Sequence, residues 1–310
     1  MTKYFIRRFI GLIPTLWVII TISFFIIRIA PGGPFASERR VPDHVLQNLE
    51  AKYHLDEPLI MQYGRYLFNA LKLDLGPSYR NFDYSVNEYI AMGLPHSLFL
   101  GILALLLALF LGVGSGMISA VKQNSIVDYL VMSLAVLGIS IPLFVTAPLL
   151  QLVFAVRLRW LPTSGWFNLR QYGFETVIMP AIALMFPYFA YIARLTRASI
   201  LEVLRSDYIR TARAKGLKGN VIMFKHVIKG ALLPVVSYLG PAFAGIVTGS
   251  VVIEYIFRVP GMGRYFVNSA INRDYTLIMG TVIVFSVILI IMNFLVDIIY
   301  GFLDPRITYK

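Results

Sequence analysis

Six long apolar runs set the terms for this chain, because each approaches or exceeds the roughly 20 residues that cross a bilayer core. They fall near Phe9–Ile27, Ser97–Val121, Leu130–Val156, Thr176–Ala193, Ala231–Ile253 and Tyr275–Val296. Hydrocarbon offers a backbone amide no hydrogen-bond partner, so segments of this length must satisfy their own N–H and C=O groups as helices. The expectation is an all-α integral membrane protein with six transmembrane helices. Composition agrees: 58% of residues are hydrophobic, 14% are charged and the mean hydropathy is +0.72, more apolar than a soluble core requires. A net charge of +12 could suit nucleic acid, but a soluble basic domain would not carry these runs, and membrane lipid accounts for the excess. No nucleic-acid partner is expected. Cysteine is absent, which excludes disulfides, thiolate catalysis and cysteine-ligated metals.

Lys and Arg accumulate in short cytoplasmic loops. Residues 194–229 carry Arg194, Arg197, Arg205, Arg210, Arg213, Lys215, Lys218, Lys225 and Lys229 against only Glu202 and Asp207, so this loop reads as cytoplasmic. An even number of spans then puts both termini inside, in keeping with Lys3, Arg7 and Arg8 at the start and Arg306 and Lys310 at the end. Arg157, Arg159 and Arg170 would lie outside. The first run is too long for a signal peptide and lacks a small-x-small cleavage site, so it reads as a retained span. Three regions result: an N-terminal transmembrane helix (1–30), an extracytoplasmic cap (31–95) and a five-helix core (96–310) with a cytoplasmic loop at about 195–230. Within the cap, Val45–Tyr53 and Leu59–Leu71 have helical apolar spacing, and Asp74-Leu-Gly-Pro77 is a turn signal.

Gly112 with Gly116, and Gly245 with Gly249, are spaced to open a groove on one helix face. Helix packing is preferred over substrate lining for both pairs. Pro142, Pro148, Pro180 and Pro187 interrupt the third and fourth runs, and each removes a backbone donor and favours a kink. Chemical motifs are missing. No G-x-x-x-x-G-K-[ST] loop exists, so the chain does not hydrolyse ATP in the P-loop manner. His44, His54, His96 and His226 lack metal-ligand spacing, and neither H-E-x-x-H nor G-x-S-x-G occurs. An enzyme is not expected. A mid-membrane carboxylate would point to an ion-coupled carrier, but Glu254 and Asp297 sit toward the ends of their runs. They read as interface anchors or as partners of neighbours such as Arg258.

Ser206-Asp-Tyr-Ile-Arg-Thr-Ala-Arg-Ala-Lys-Gly-Leu217, followed by Ala231-Leu-Leu-Pro234, resembles the cytoplasmic signature loop of ABC importer permeases of the peptide class. Gly249-Ser-Val-Val-Ile-Glu254, Val259-Pro-Gly-Met-Gly263, Asn272-Arg-Asp-Tyr275 and Asp304-Pro-Arg-Ile307 resemble the same family. Arg28-Ile-Ala-Pro-Gly-Gly-Pro34 and Glu50-Ala-Lys-Tyr-His-Leu55 are similar to its oligopeptide branch. One departure stands out: general members carry Glu-Ala-Ala where this chain has Arg210-Thr211-Ala212. Peptide-type members share that departure, which narrows the subgroup and puts in doubt any role that needs the acid.

The resemblance implies a type I ABC importer permease fold with cytoplasmic termini. It implies a subunit of an ATP-driven, binding-protein-dependent oligopeptide importer in the bacterial cytoplasmic membrane. Its partners would be a second paralogous permease, two ABC ATPase subunits and a peptide-binding protein, with ATP and Mg²⁺ held by the ATPases and no cofactor on this chain. A short helix from Asp207 to Lys215, ended by a left-handed Gly216, would lie along the membrane face and seat in an ATPase groove. Asp207, Arg210, Thr211, Ala212, Arg213, Ala214, Lys215 and Gly216 are the expected coupling residues. Glu254, Arg258, Pro260, Gly261 and Gly263 are assigned to the outer gate or to contact with the binding protein, two roles left open. No pathway-lining residue is assigned. A dipeptide or nickel importer permease, and a secondary carrier, are the competing readings.

Overall fold

The apolar runs fold as helices wherever proline leaves the backbone free to do so. The computed structural model describes residues 2–29, 33–35, 43–81, 83–166 and 173–303, and among them the only strand-like pairing is an isolated bridge between Pro77 and Ser85. In order the helices are α1 (Thr2–Ile29), α2 (Asp43–Lys52), α3 (Leu59–Leu71), α4 (Val86–Val121), α5 (Ile126–Ser140), α6 (Leu143–Leu150) and α7 (Glu175–Leu204). Then come α8 (Asp207–Ala214), α9 (Gly219–Val221), α10 (Ile228–Ala231), α11 (Leu233–Phe257), α12 (Met262–Asn272) and α13 (Tyr275–Leu303). Wider π-type turns run over Gln151–Arg157 after α6 and over Ile222–Val227 between α9 and α10. Residues Asp304–Ile307, Lys310 and Arg170 lie outside the described residues, as do the surroundings of Gly249 and the side chains of Lys3, Arg7, Arg8 and Asp297.

Local chemistry sets the helix starts. Ser85 accepts the Glu88 amide while Glu88 Oε2 accepts the Ser85 amide at 2.7 Å, a capping box that opens α4. Asp274 caps α13 by accepting Leu277 N at 3.2 Å.

Four helices are long and apolar enough to cross a membrane, Ile10–Ile29, Val86–Val121, Glu175–Leu204 and Tyr275–Val296, or up to six if each of two bent pairs counts as one span. The third run, Leu130–Val156, is broken near Pro142, as an interrupting proline favours. α5 stops at Ser140 and the chain turns by 110° into α6. Pro142 lacks an N–H, and Ile141 before it is extended (φ −91°, ψ 119°), as a residue preceding proline prefers. The fifth run starts at Leu233, bent by 47° from the segment before it. Pro148, Pro180 and Pro187 sit inside helices that stay continuous.

α7 is the centre of the bundle, packed by α4, α5, α6 and α11 around a core that includes Leu100, Leu184, Ile192, Ile246 and Ile253. Glycine sets the α4–α7 spacing. A Cβ on Gly112 would stand 2.8 Å from the Ile192 side chain, and one on Gly116 would stand 2.5 Å from the Ala193 carbonyl oxygen. Packing is thus the role of this pair, as expected. Backbone cannot swing aside, so Gly116→Ala should push α4 from α7 at about 1–3 kcal/mol. Gly114→Ala, with no atom within 4 Å, is the matched control. Thermal unfolding in detergent should show a lower midpoint for the first and none for the second. α1 lies at the edge, held to α3 and α13 through Ile20, Phe24 and Met279.

Candidate functional site

The basic loop folds as the short helix α8, and only Arg205 and Ser206 separate it from α7. Its two apolar residues on one face, Ile209 and Ala212, are buried against Ala120, Ile200, Ile222, Val227 and Ala231. Burying Ile209 alone contributes about 1.5–3 kcal/mol. Asp207, Tyr208, Arg210, Thr211, Arg213, Ala214 and Lys215 are exposed on the other side. Of the expected coupling residues, Ala212 is buried against the bundle, while the others on α8 face outward. The Arg210–Asp207 pair, at 3.3 Å and almost fully exposed, adds little stability and leaves both groups open to a partner.

α8 ends where the sequence placed its stop. Gly216 has φ +77°, its N–H donates to Arg213 O at 2.9 Å, and the Leu217 N–H donates to Ala212 O at 3.3 Å. That pair of bonds is a Schellman cap, which needs a left-handed residue at the glycine. Beside α8 runs a groove of about 510 Å³, walled by Met117, Val121, Ile222 and Phe224 and flanked by Lys122 and Arg213. The exposed helix face and this groove form one surface at the same end of the bundle.

A buried ion pair stiffens that end. Arg197 on α7 grips Asp128 at the start of α5 through Nε to Oδ1 and Nη2 to Oδ2, both 2.7 Å. The Ser119 hydroxyl and the Asn124 amide (2.9 Å) donate to the same carboxylate, so α4, α5 and α7 meet on one group. Arg197 belongs to the basic run that orients the loop, yet its charge is neutralised inside the fold. No local signal marks this pair, because its members lie 69 residues apart.

At the opposite end Glu254 is fully buried. Its Oε1 accepts the Ser97 and Ser250 hydroxyls, each at 2.6 Å, and its Oε2 accepts the Gly263 amide at 2.8 Å. The Ser97 oxygen in turn accepts the Met262 amide at 2.8 Å. Free amides at the start of α12 are a natural seat for a carboxylate, and α11 supplies one. Of the two readings offered for Glu254, the pairing with Arg258 does not form; Arg258 is exposed and caps α11 at φ 56°. A Cβ on Gly261 would collide with Glu254 Oε2, and one on Gly263 would stand 2.5 Å from Val251 Cα. Glu254, Gly261 and Gly263 are therefore interior, and of the five outer residues only Arg258 is exposed, with Pro260 half-buried.

A second knot at this end joins the Asn272–Tyr275 motif to residues 78–80, a pairing with no local signal in the sequence. Asp274, buried, accepts Ser78 Oγ at 2.5 Å and Tyr79 N at 3.2 Å, and Arg80 Nε donates to Asn272 O at 2.6 Å. The Asn272-Arg-Asp-Tyr275 motif thus ties the cap to the α12–α13 corner. Among the described residues no three His, Cys, Asp or Glu side chains gather as a metal site would require.

The chain matches the family described as "Binding-protein-dependent transport system inner membrane component" over residues 108–309. It is 50% identical over 309 residues to the "Oligopeptide transport system permease protein OppB" of Salmonella typhimurium (strain LT2), covering 100% of both chains. It is 49% identical over 307 residues to the "Dipeptide transport system permease protein DppB" of Bacillus subtilis (strain 168), covering 99% of this chain and 98% of that one. An inward facing structure of the MetNI methionine ABC transporter superposes with a TM-score of 0.57 at 19% identity, over 69% of this chain and 96% of that chain. At that identity the likeness is one of fold.

Proposed function

The chain belongs to the family of binding-protein-dependent transport system inner membrane components, and from that premise we propose that it is the membrane-spanning permease subunit of an ATP-driven oligopeptide importer. It is a multi-pass protein of the bacterial inner membrane and a transport subunit, not an enzyme. In this reading each bent helix pair is one span, giving six, and the α8 end faces the cytoplasm with both termini.

One observation carries the mechanism: α8 is a charged face pinned to the bundle by Ile209 and Ala212 and joined to the central helix by only two residues. An ATPase subunit seats on Asp207, Arg210, Thr211, Arg213, Ala214 and Lys215 and in the neighbouring groove. When two ATPases close on ATP, the push on α8 passes into α7, and from α7 into α4 across the close glycine contacts. Two permeases, this chain and a paralogue, then exchange an inward-open for an outward-open pathway, and a peptide leaves its binding protein to enter it. ATP and Mg²⁺ stay with the ATPases.

The competing secondary carrier needs a titratable group that meets water and cargo in turn. Glu254 is poorly suited to that task, since three protein donors already occupy its oxygens and no solvent reaches it.

Reversing Arg210 and Lys215 to glutamate should weaken co-purification with the ATPases about 10-fold and leave the amount of membrane-inserted protein unchanged. Undiminished recovery would assign those side chains to lipid. In membrane vesicles carrying the whole system, peptide uptake should stop on ATP depletion. Uptake that follows an imposed ion gradient instead would overturn the importer reading.

A further inference from the structure

Where α1 ends at the cap side, the structure holds a cavity of about 280 Å³ whose walls include Arg28, Lys52, Arg65, Tyr66, Asp74 and Tyr79. We propose that this cavity binds the phosphate-bearing headgroup of a phospholipid from the leaflet on that side of the membrane.

Two observations independently call for a ligand. The first is a half-buried guanidinium with hydrogen-bonding capacity to spare. Arg28 lies 3.6 Å over the Phe24 ring and donates from Nε to Gln62 Oε1 at 3.0 Å. Gln62 is itself buried and held by Leu55 O at 3.1 Å and Glu57 O at 2.8 Å, so the guanidinium is aimed, not free to swing. Among the described residues no carboxylate pairs with Arg28 and no acceptor is seen for its Nη groups. A guanidinium in this state invites a bidentate oxyanion. The second observation is the Tyr66 hydroxyl, which is buried without any hydrogen-bond partner. Unsatisfied hydroxyls of this kind cost about 1–3 kcal/mol and are rare unless something else completes them. Burial pushes the neighbouring Tyr79 up to about 12, so its hydroxyl stays a neutral donor.

The setting selects a lipid as the source of the phosphate. Arg28 sits in the last turn of α1, the least buried of the four continuous candidate spans, and Ile22, Ile26 and Ile29 on that helix are exposed. Ile60 and Met61 on α3 expose further apolar surface beside it. Acyl chains can lie along these residues with the headgroup at the height of the cavity. Asp74 on the cavity wall offers a carboxylate to a headgroup amine, which makes phosphatidylethanolamine the apt probe.

The test uses the full chain, purified in detergent with the subunits that accompany it, and follows the thermal midpoint as phosphatidylethanolamine is added. The native protein should gain stability with lipid. Arg28→Gln should weaken that response about 10-fold in lipid concentration, and Tyr66→Phe should reduce it too. In lipid-free detergent Tyr66→Phe should melt at or above the native midpoint, because its hydroxyl has no protein partner to lose. This variant decides the matter alone if Arg28→Gln fails to fold. The proposal is overturned if both variants respond to lipid like the native protein, or if Tyr66→Phe lowers the lipid-free midpoint. It is overturned equally if inorganic phosphate reproduces the whole gain, which would make the cavity a free-anion site, or if only the solute-binding protein does so.

Discussion

Gly216→Pro should abolish transport and leave the protein in the membrane. Proline holds φ near −65° and has no N–H, whereas this position needs φ +77° and donates to Arg213 O. The Schellman cap is lost, α8 unwinds at its end, and the chain leaves the helix in a new direction under the ATPase. The effect is one of backbone alone, since no atom lies within 4 Å of where a Cβ would sit. A graded series follows from that. Gly216→Ala should cost about 1–2 kcal/mol locally, and Gly216→Asn less, because asparagine tolerates the left-handed conformation. Peptide uptake into vesicles should fall in the order glycine, asparagine, alanine, proline, with equal protein in every membrane. A proline variant that transports normally would show that the end of α8 does not carry the push.

Glu254→Ala is expected to be the most destabilising single change at the other end. It removes the carboxylate acceptor of the Ser97 and Ser250 hydroxyls and of the Gly263 amide, and each such loss inside the fold costs about 1–3 kcal/mol. The sum is a large part of the roughly 5–15 kcal/mol that holds a typical domain folded. Glu254→Gln should be intermediate. One amide oxygen can serve Ser97 and Ser250, but the amide nitrogen then faces the Gly263 N–H donor to donor. Gly261→Ala should approach the alanine variant in severity. Gly261 has φ −100° and ψ 177°, which any residue adopts, so its requirement is purely for space beside the carboxylate. Yield of monodisperse protein and its melting midpoint report all three. A Glu254→Ala protein as stable as the native one would remove the carboxylate from its place at the centre of this knot.

The features that sequence reveals here are the ones written in consecutive residues. The apolar helices, α2 and α3, and the glycine stop of α8 all follow from period and left-handed propensity. Pro142 is visible as a break, but a 110° turn is not, because proline removes one hydrogen bond and the packing around it sets the angle. Glu254 was misjudged for a different reason. Arg258 stands one helical turn away in sequence, whereas Ser97 lies 157 residues off, and only the fold brings it within 2.6 Å. Asp128 with Arg197, and Asp274 with Ser78, escaped notice for the same cause. The burial of Ala212 is legible in the sequence. This alanine lies three residues after Ile209, and on a helix that spacing puts both on one face.

The two carboxylate knots at the cap end have a mechanical corollary. Glu254 fastens α4 and α11 to the head of α12, and Asp274 fastens the Ser78–Tyr79 strap to its tail. Among the described residues these bonds tie α4, α11, both ends of α12 and the Ser78–Tyr79 strap into one unit. In the proposed importer, an opening at this end would then widen by tilting that unit as a whole against the second permease, at the seam between two polypeptides.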